Sequence, residues 1–180
     1  MLFASEGANV VLVDRKLESI LSVMRMISEK SPNVRSIAVG ADVGIEEEIK
    51  GAVDAAVGEF GRLDIMVCIL SLGATPLGDV CVCLTLRQFN NAGIMDPKDD
   101  NALNTEEKIW DLTMQINVKG VWWGSKYAIL AMRKNKADEE RGLTAGGSVI
   151  NTASFVAIMG AATPQLACTR IAVFRLWVMG

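Results

Sequence analysis

Residues 9–67 alternate between two hydrophobic periods, and that alternation restricts the fold more than any other feature. "NVVLVD" (Asn9 to Asp14) is a β-branched run of strand length ending on an acid. "LESILSVMRMISEK" follows, with Leu17, Ile20, Leu21, Met24 and Ile27 at helical spacing. "VRSIAVGADV" reads as a second strand ending at Asp42. "EEEIKGAVDAAVGEFG" sets Ile49, Val53, Ala56, Val57 and Phe60 on one helical face, with Gly61 as its stop. "LDIMV" (Leu63 to Val67) is a third strand. Strands separated by helices and short links must run parallel through right-handed crossovers, which gives a layered α/β sheet.

Composition removes several function classes. The chain has 180 residues, 51% hydrophobic and 22% charged, and is globular in character. Its net charge of −3 comes without a basic cluster, so no nucleic-acid partner is expected. The apolar runs fall short of the roughly 18 residues that span a bilayer, so no membrane insertion is expected. "MLFASEGANVVLVDRK" has neither a basic leader nor a cleavage site of small residues, which predicts a cytoplasmic protein. Cys68, Cys81, Cys83 and Cys168 lack metal-ligand spacing, no metal site is expected, and reduced thiols are the default. The chain holds no histidine, which excludes Ser-His and Cys-His nucleophilic triads.

Beyond Val67 the order breaks. "CILSLGATPLGDVCVCLTLRQF" (residues 68–89) has no sustained helical period. Regularity returns at "NNAGIMD" and in the long helical stretch "NTEEKIWDLTMQINVKGVWWGSKYAILAMRKNK". Asn104 and Glu107 have the offset of a capping pair at its start. The polar loop "ADEERGLTAGG" leads into a further strand, "SVINTAS".

Four motifs in order, "GADV", "NNAG" (Asn90 to Gly93), "INVKG" (Ile116 to Gly120) and "GGSVINTAS" (Gly146 to Ser154), resemble the classical short-chain dehydrogenases/reductases. The resemblance implies a Rossmann-type doubly wound parallel sheet that is incomplete, its first strand, glycine-rich phosphate turn and last helices being missing. Residues 1–180 are then one partial NAD(P)-binding domain with an intervening non-family segment at 68–89. It implies hydride transfer between NAD(H) and a secondary alcohol or ketone, in proteins that are usually homodimers or homotetramers.

Site roles follow position by position. Asp14 would bind the adenosine ribose and favour NAD over NADP, because a 2′-phosphate would meet a like charge. Asp42 and Val43 would flank the adenine. Asn90, Ala92 and Gly93 would form the turn beneath the cofactor. Asn117 would hold a water in a proton relay, and Ser154 would hydrogen-bond the substrate oxygen. The family's general acid/base tyrosine follows the active-site serine by about a dozen residues, and there this chain has Cys168, with Ala172 at the lysine position. A thiol ends too close to the backbone to reach where a phenol oxygen would be, so Cys168 is not expected to replace it. Tyr127, the sole tyrosine, has Ala131 four residues on and is expected to be a packing residue. The chain is therefore expected to be inactive as written, a non-catalytic truncated isoform that pairs with a full-length relative, or the product of a faulty gene model. Segment 68–89 is expected to loop out over the surface, leaving unpaired strand edges where the first strand is missing.

Overall fold

The computed structural model describes residues 1–68, 81–84, 96, 98–100 and 103–151. A short helix α1 (Leu2–Ser5) turns at Gly7, which takes φ +84°, and feeds β1 (Val10–Asp14). Then come α2 (Leu17–Lys30), β2 (Ser36–Gly40), α3 (Glu46–Phe60) and β3 (Ile65–Cys68). β2 stops at Gly40, short of the expected Asp42. Gly61 closes α3 in the left-handed conformation, φ +79°, as a C-terminal stop requires.

The sheet order is β2-β1-β4-β3-β5, where β4 is Cys81–Leu84 and β5 is Ser148–Asn151. β1 runs parallel to β2 over Val10–Asp14, and β3 parallel to β5 over Ile65–Cys68. The α/β class and the parallel pairs agree with the sequence. β4 corrects the expectation for segment 68–89: Cys81–Leu84 is a central strand, not part of a surface excursion. It pairs antiparallel with β1 at four register positions (Val10↔Leu84 to Val13↔Cys81) and with β3 at Ile65↔Leu84. The edge of β1 expected to be bare is thus paired. An exposed edge demands hydrogen-bond partners, and the chain supplies them itself.

Both faces of β1 are covered, so all five of its residues are buried. Val11 and Val13 pack with Ala52, Val53 and Ala56 of α3 and with Leu63 and Met66. Val10 and Leu12 pack on the other face with Ala4, Ile20 and Ile27. On α2, Leu17 and Leu21 remain about half exposed, although their spacing matched the buried face. The long helical stretch is one rod: α4 (Glu107–Met114), a six-residue π-turn (Gln115–Gly120), then α5 (Val121–Met132). Its expected capping pair does not form. Glu106 is the cap residue, and the Asn104 side-chain amide donates to Asp100 at 3.0 Å.

The loop before β5 is tied to the base of β3. The Arg62 guanidinium pairs with Asp64 and donates to the carbonyls of Lys136 and Thr144. Asn135 Nδ2 donates to the carbonyls of Leu63 and Gly146 at 2.6 and 2.7 Å. These bonds set the register in which Ser148 enters the sheet, with its N–H on the Asp64 carbonyl at 2.8 Å. Among the described residues no helix is long and apolar enough to cross a membrane.

Candidate functional site

Open α/β sheets bind ligands at the carboxyl ends of their strands. Here that edge carries Asp14 at the end of β1 and the turn at Asp42 to Gly44 after β2. Asp14 is 6% exposed, and its Oδ1 accepts the Lys16 N–H at 2.7 Å, a side-chain turn that fixes the carboxylate beyond the strand. The Ala41 N–H donates to the Asp14 carbonyl at 3.2 Å, tying the ends of β1 and β2 together.

Asp42 organises the neighbouring turn. Its Oδ1 accepts the Gly44 N–H at 2.8 Å, and its own N–H donates to Glu48 Oε2 at 2.6 Å. Its Oδ2 lies 3.7 Å from Arg15 Nη1, so the residue after Asp14 bridges to this turn. Val43 rests on the π-turn. Its carbonyl oxygen is 2.7 Å from where a Cβ on Gly120 would stand, so only glycine allows this approach. Gln115 Nε2 donates to the Gly44 carbonyl at 2.7 Å, fastening the same turn from the other side. Asn117 lies between these two residues in the π-turn and is 1% exposed. Single π-turns inside helices recur at functional sites.

The structure thus brings Asp14, Asp42 and Val43 to one edge and sets Asn117 in the helix that supports it. Asn90, Ala92, Gly93, Ser154 and Cys168 lie outside the described residues. Sequence reasoning passed over Gln115, Gly120 and Glu48. "INVKG" contained the glycine, but nothing in a helical period announces a π-turn or the close approach of Val43.

Tyr127 is a packing residue with its hydroxyl engaged. The phenol donates to Glu46 Oε1 at 2.8 Å, beside Lys126 Nζ at 2.7 Å from the same oxygen. Those hydrogen bonds, Lys126 first and Tyr127 second, hold the Glu46 carboxyl below its usual range. The Lys126 ammonium is raised in turn, chiefly by its bond to Glu46. The trio clamps α3 to α5 behind the edge. A cavity of about 320 Å³, lined by Phe3, Glu6, Asp64, Ile65, Leu143 and Ser148 among others, opens at the opposite, amino-terminal edge of the sheet.

A dinucleotide makes two demands on this edge. A carboxylate such as Asp14 suits ribose hydroxyls, which are donors. The phosphates need a strand that ends at this edge and turns into a helix N-terminus. β4, in the central position, meets the edge with its first residue, Cys81, beside Val13, and its last residue is at the other edge. Asp14 offers the acceptor that the adenosine half asks for, and among the described residues β4 does not end at this edge.

The model of the short chain dehydrogenase family matches residues 1–173. The chain belongs to the short-chain dehydrogenase family. It is 28% identical over 167 residues to secoisolariciresinol dehydrogenase of Forsythia intermedia, covering 93% of this chain and 48% of that one. It is 26% identical over 163 residues to the human NAD(+) 15-hydroxyprostaglandin dehydrogenase, covering 91% and 47%. The chain spans about half the length of the curated relatives it matches. A short-chain type dehydrogenase/reductase from Mycobacterium marinum superposes with a TM-score of 0.70 at 24% identity, covering 97% of this chain and 58% of that one. L-sorbose reductase from Gluconobacter frateurii, solved with NADPH and L-sorbose, gives 0.71 at 22%, covering 97% and 54%. These likenesses are of fold. The short-chain dehydrogenases are oxidoreductases that work with NAD(P).

Proposed function

We propose that this chain descends from a short-chain dehydrogenase moving a hydride between NAD(H) and a secondary alcohol or ketone, and that the 180-residue polypeptide does not turn over. The observation that carries the reading is Asp14, an acid at the carboxyl end of β1 whose Oδ1 is held by the Lys16 N–H. In that place a carboxylate recognises a ribose diol and repels a 2′-phosphate, so NAD is the cofactor and NADP the poorer one. Asp42 and Val43 flank the adenine, and Asn90, Ala92 and Gly93 run beneath the cofactor. Asn117 holds the relay water and Ser154 the substrate oxygen. NAD(H), when bound, would supply the hydride; this chain's part would be to orient the adenosine through Asp14, Asp42 and Val43. Cys168, too short to exchange a proton with substrate, leaves the reaction without its acid/base group. The working protein is cytoplasmic, its substrate a small alcohol or ketone, and residues 1–180 are one partial NAD(P)-binding domain in which the non-family segment 68–89 supplies β4.

Titration of the purified chain with NADH, with and without a ketone, tests this. The expected result is weak NADH binding that Asp14→Ala abolishes, and no ketone-dependent oxidation of NADH. Turnover that Ser154→Ala removes would overturn the proposal.

The second reading, a non-catalytic isoform that pairs with a longer relative, is favoured by the outer face of α5. Trp122, Ile129 and Leu130 are each more than 40% exposed there. Co-purification with a longer relative in the absence of NADH binding supports this reading against the first.

A further inference from the structure

The turn after β2 is attached to both ends of the π-turn. Gln115, its first residue, donates from Nε2 to the Gly44 carbonyl at 2.7 Å. A Cβ on Gly44 would stand 3.8 Å from Gln115 Cγ and 3.7 Å from Ile116 Cγ1, so both side chains close over that glycine. At the last residue, Gly120, the Val43 carbonyl comes too near for any Cβ. Asn117, 1% exposed, falls between the two attachments. The turn is also tied to a different element, because the Asp42 N–H donates to Glu48 Oε2 on α3 at 2.6 Å. π-turns are rare, since regular winding is ordinarily preferred, and this one is held at both ends by the same neighbour.

We propose that Gln115 is a positioning residue that couples the turn at Asp42 to Gly44 with the backbone around Asn117, so that an adenine nucleotide binding at the first shifts the second. The inference rests on the reading of that turn as the adenine side of the site. The nucleotide needs no contact with Asn117. A turn drawn towards the adenine pulls on Gly44, the Gly44 carbonyl pulls on the Gln115 amide, and Gln115 carries the start of the π-turn with it. The two attachments differ in what they transmit. Close contact between Val43 and Gly120 resists compression alone, whereas a hydrogen bond also resists separation. Such a coupling is reciprocal: if the bound turn favours one arrangement of the π-turn, that arrangement favours binding.

The test titrates the full, isotopically labelled chain with adenosine monophosphate (AMP) and follows its backbone amide resonances. In the unmutated chain AMP should shift Val43 and Gly44 and, with the same dissociation constant, Asn117 and Val118. Gln115→Met keeps the side-chain length and removes the donor. It should bind AMP about 3–10-fold more weakly, as the loss of one neutral hydrogen bond requires. At saturating AMP its Asn117 and Val118 shifts should fall below half of the parent's. Gln115→Glu, with an acceptor in the donor's place, should behave alike. Glu48→Met loosens the same turn from α3, so it should weaken AMP binding yet keep the full Asn117 and Val118 shifts at saturation. The parent titration requires no variant to fold. AMP binding with no shift at Asn117 and Val118, undiminished shifts in the Gln115 variants, or an equal loss in Glu48→Met would each overturn the coupling while leaving the adenine site in place. No AMP-dependent shift at Val43 or Gly44 would overturn the reading of the site itself, and the coupling with it.

Discussion

At the scale of single residues, two atoms of clearance decide the shape of the candidate site. Gly120 lies in a helical rod, where alanine is ordinarily the better residue by up to about 1 kcal/mol. Here an added Cβ would stand 2.7 Å from the Val43 carbonyl oxygen, a backbone atom that cannot swing aside. The clash wins: Gly120→Ala should destabilise by about 1–3 kcal/mol in urea unfolding. The same change should shift the backbone amide resonances of Val43 and Gly44 more than those of β5. The Glu46–Lys126 bond gives a pH signature. Glu46 has a folded pKa below its ordinary 4.5, so its stabilisation is complete above that pH and fades as acid protonates the folded carboxylate. Lys126 has a folded pKa above its ordinary 10.5, so its share is complete below that pH and is lost above it. Between those limits Glu46→Gln should unfold at lower urea than the parent chain, and the two midpoints should converge as pH falls from 7 towards 3.

At the scale of elements, β4 is the decisive strand. A strand between two neighbours donates and accepts on both sides, so a proline in it removes a ladder donor and has no solvent-facing edge to use. Val82→Pro should therefore destabilise by about 3 kcal/mol or more. Were Cys81–Leu84 an outlying loop, the same change would stay within about 0.5 kcal/mol. Thermal melts of the two chains side by side distinguish these outcomes. The π-turn is the second such element. It places Gln115 and Gly120 against the same turn after β2, a convergence that regular helical spacing would not produce.

Across the whole molecule, stability rests on β1, whose two faces join the two hydrophobic clusters. Leu12 is fully buried in one of them, and Leu12→Ala should cost about 2–5 kcal/mol, read from the chemical-denaturation midpoint. That loss is a large fraction of the 5–15 kcal/mol typical of a domain, so the variant should be the least soluble of the set. For function, the sheet sets Asp14 and Asp42 at its carboxyl edge, while its central strand β4 runs antiparallel to β1. A chain built so should show NADH binding weaker than that of the longer relatives it matches, measurable by fluorescence titration.

The sequence by itself determined the order of strands and helices from Val10 to Val67, the stop at Gly61, and the placing of Asp14 at a strand end. These depend on local periodicity and on backbone freedom, both of which act over a few residues. It also led to the expectation that Tyr127 packs, since Ala131 stands four residues on, and the structure places its hydroxyl on Glu46. The tertiary structure decided what residues could not announce locally. Cys81–Leu84 became a central strand because the flank of β1 required hydrogen-bond partners, a demand set by neighbours distant in the chain. Leu17 and Leu21 stayed about half exposed because α2 meets the sheet along Ile20 and Ile27, with Val23 and Met24 packed beside them. The need for glycine at 120 arose only when the turn after β2 folded back onto the helix. Local preference names the elements; the pairing of distant edges and the clearance between packed backbones fix where each one goes.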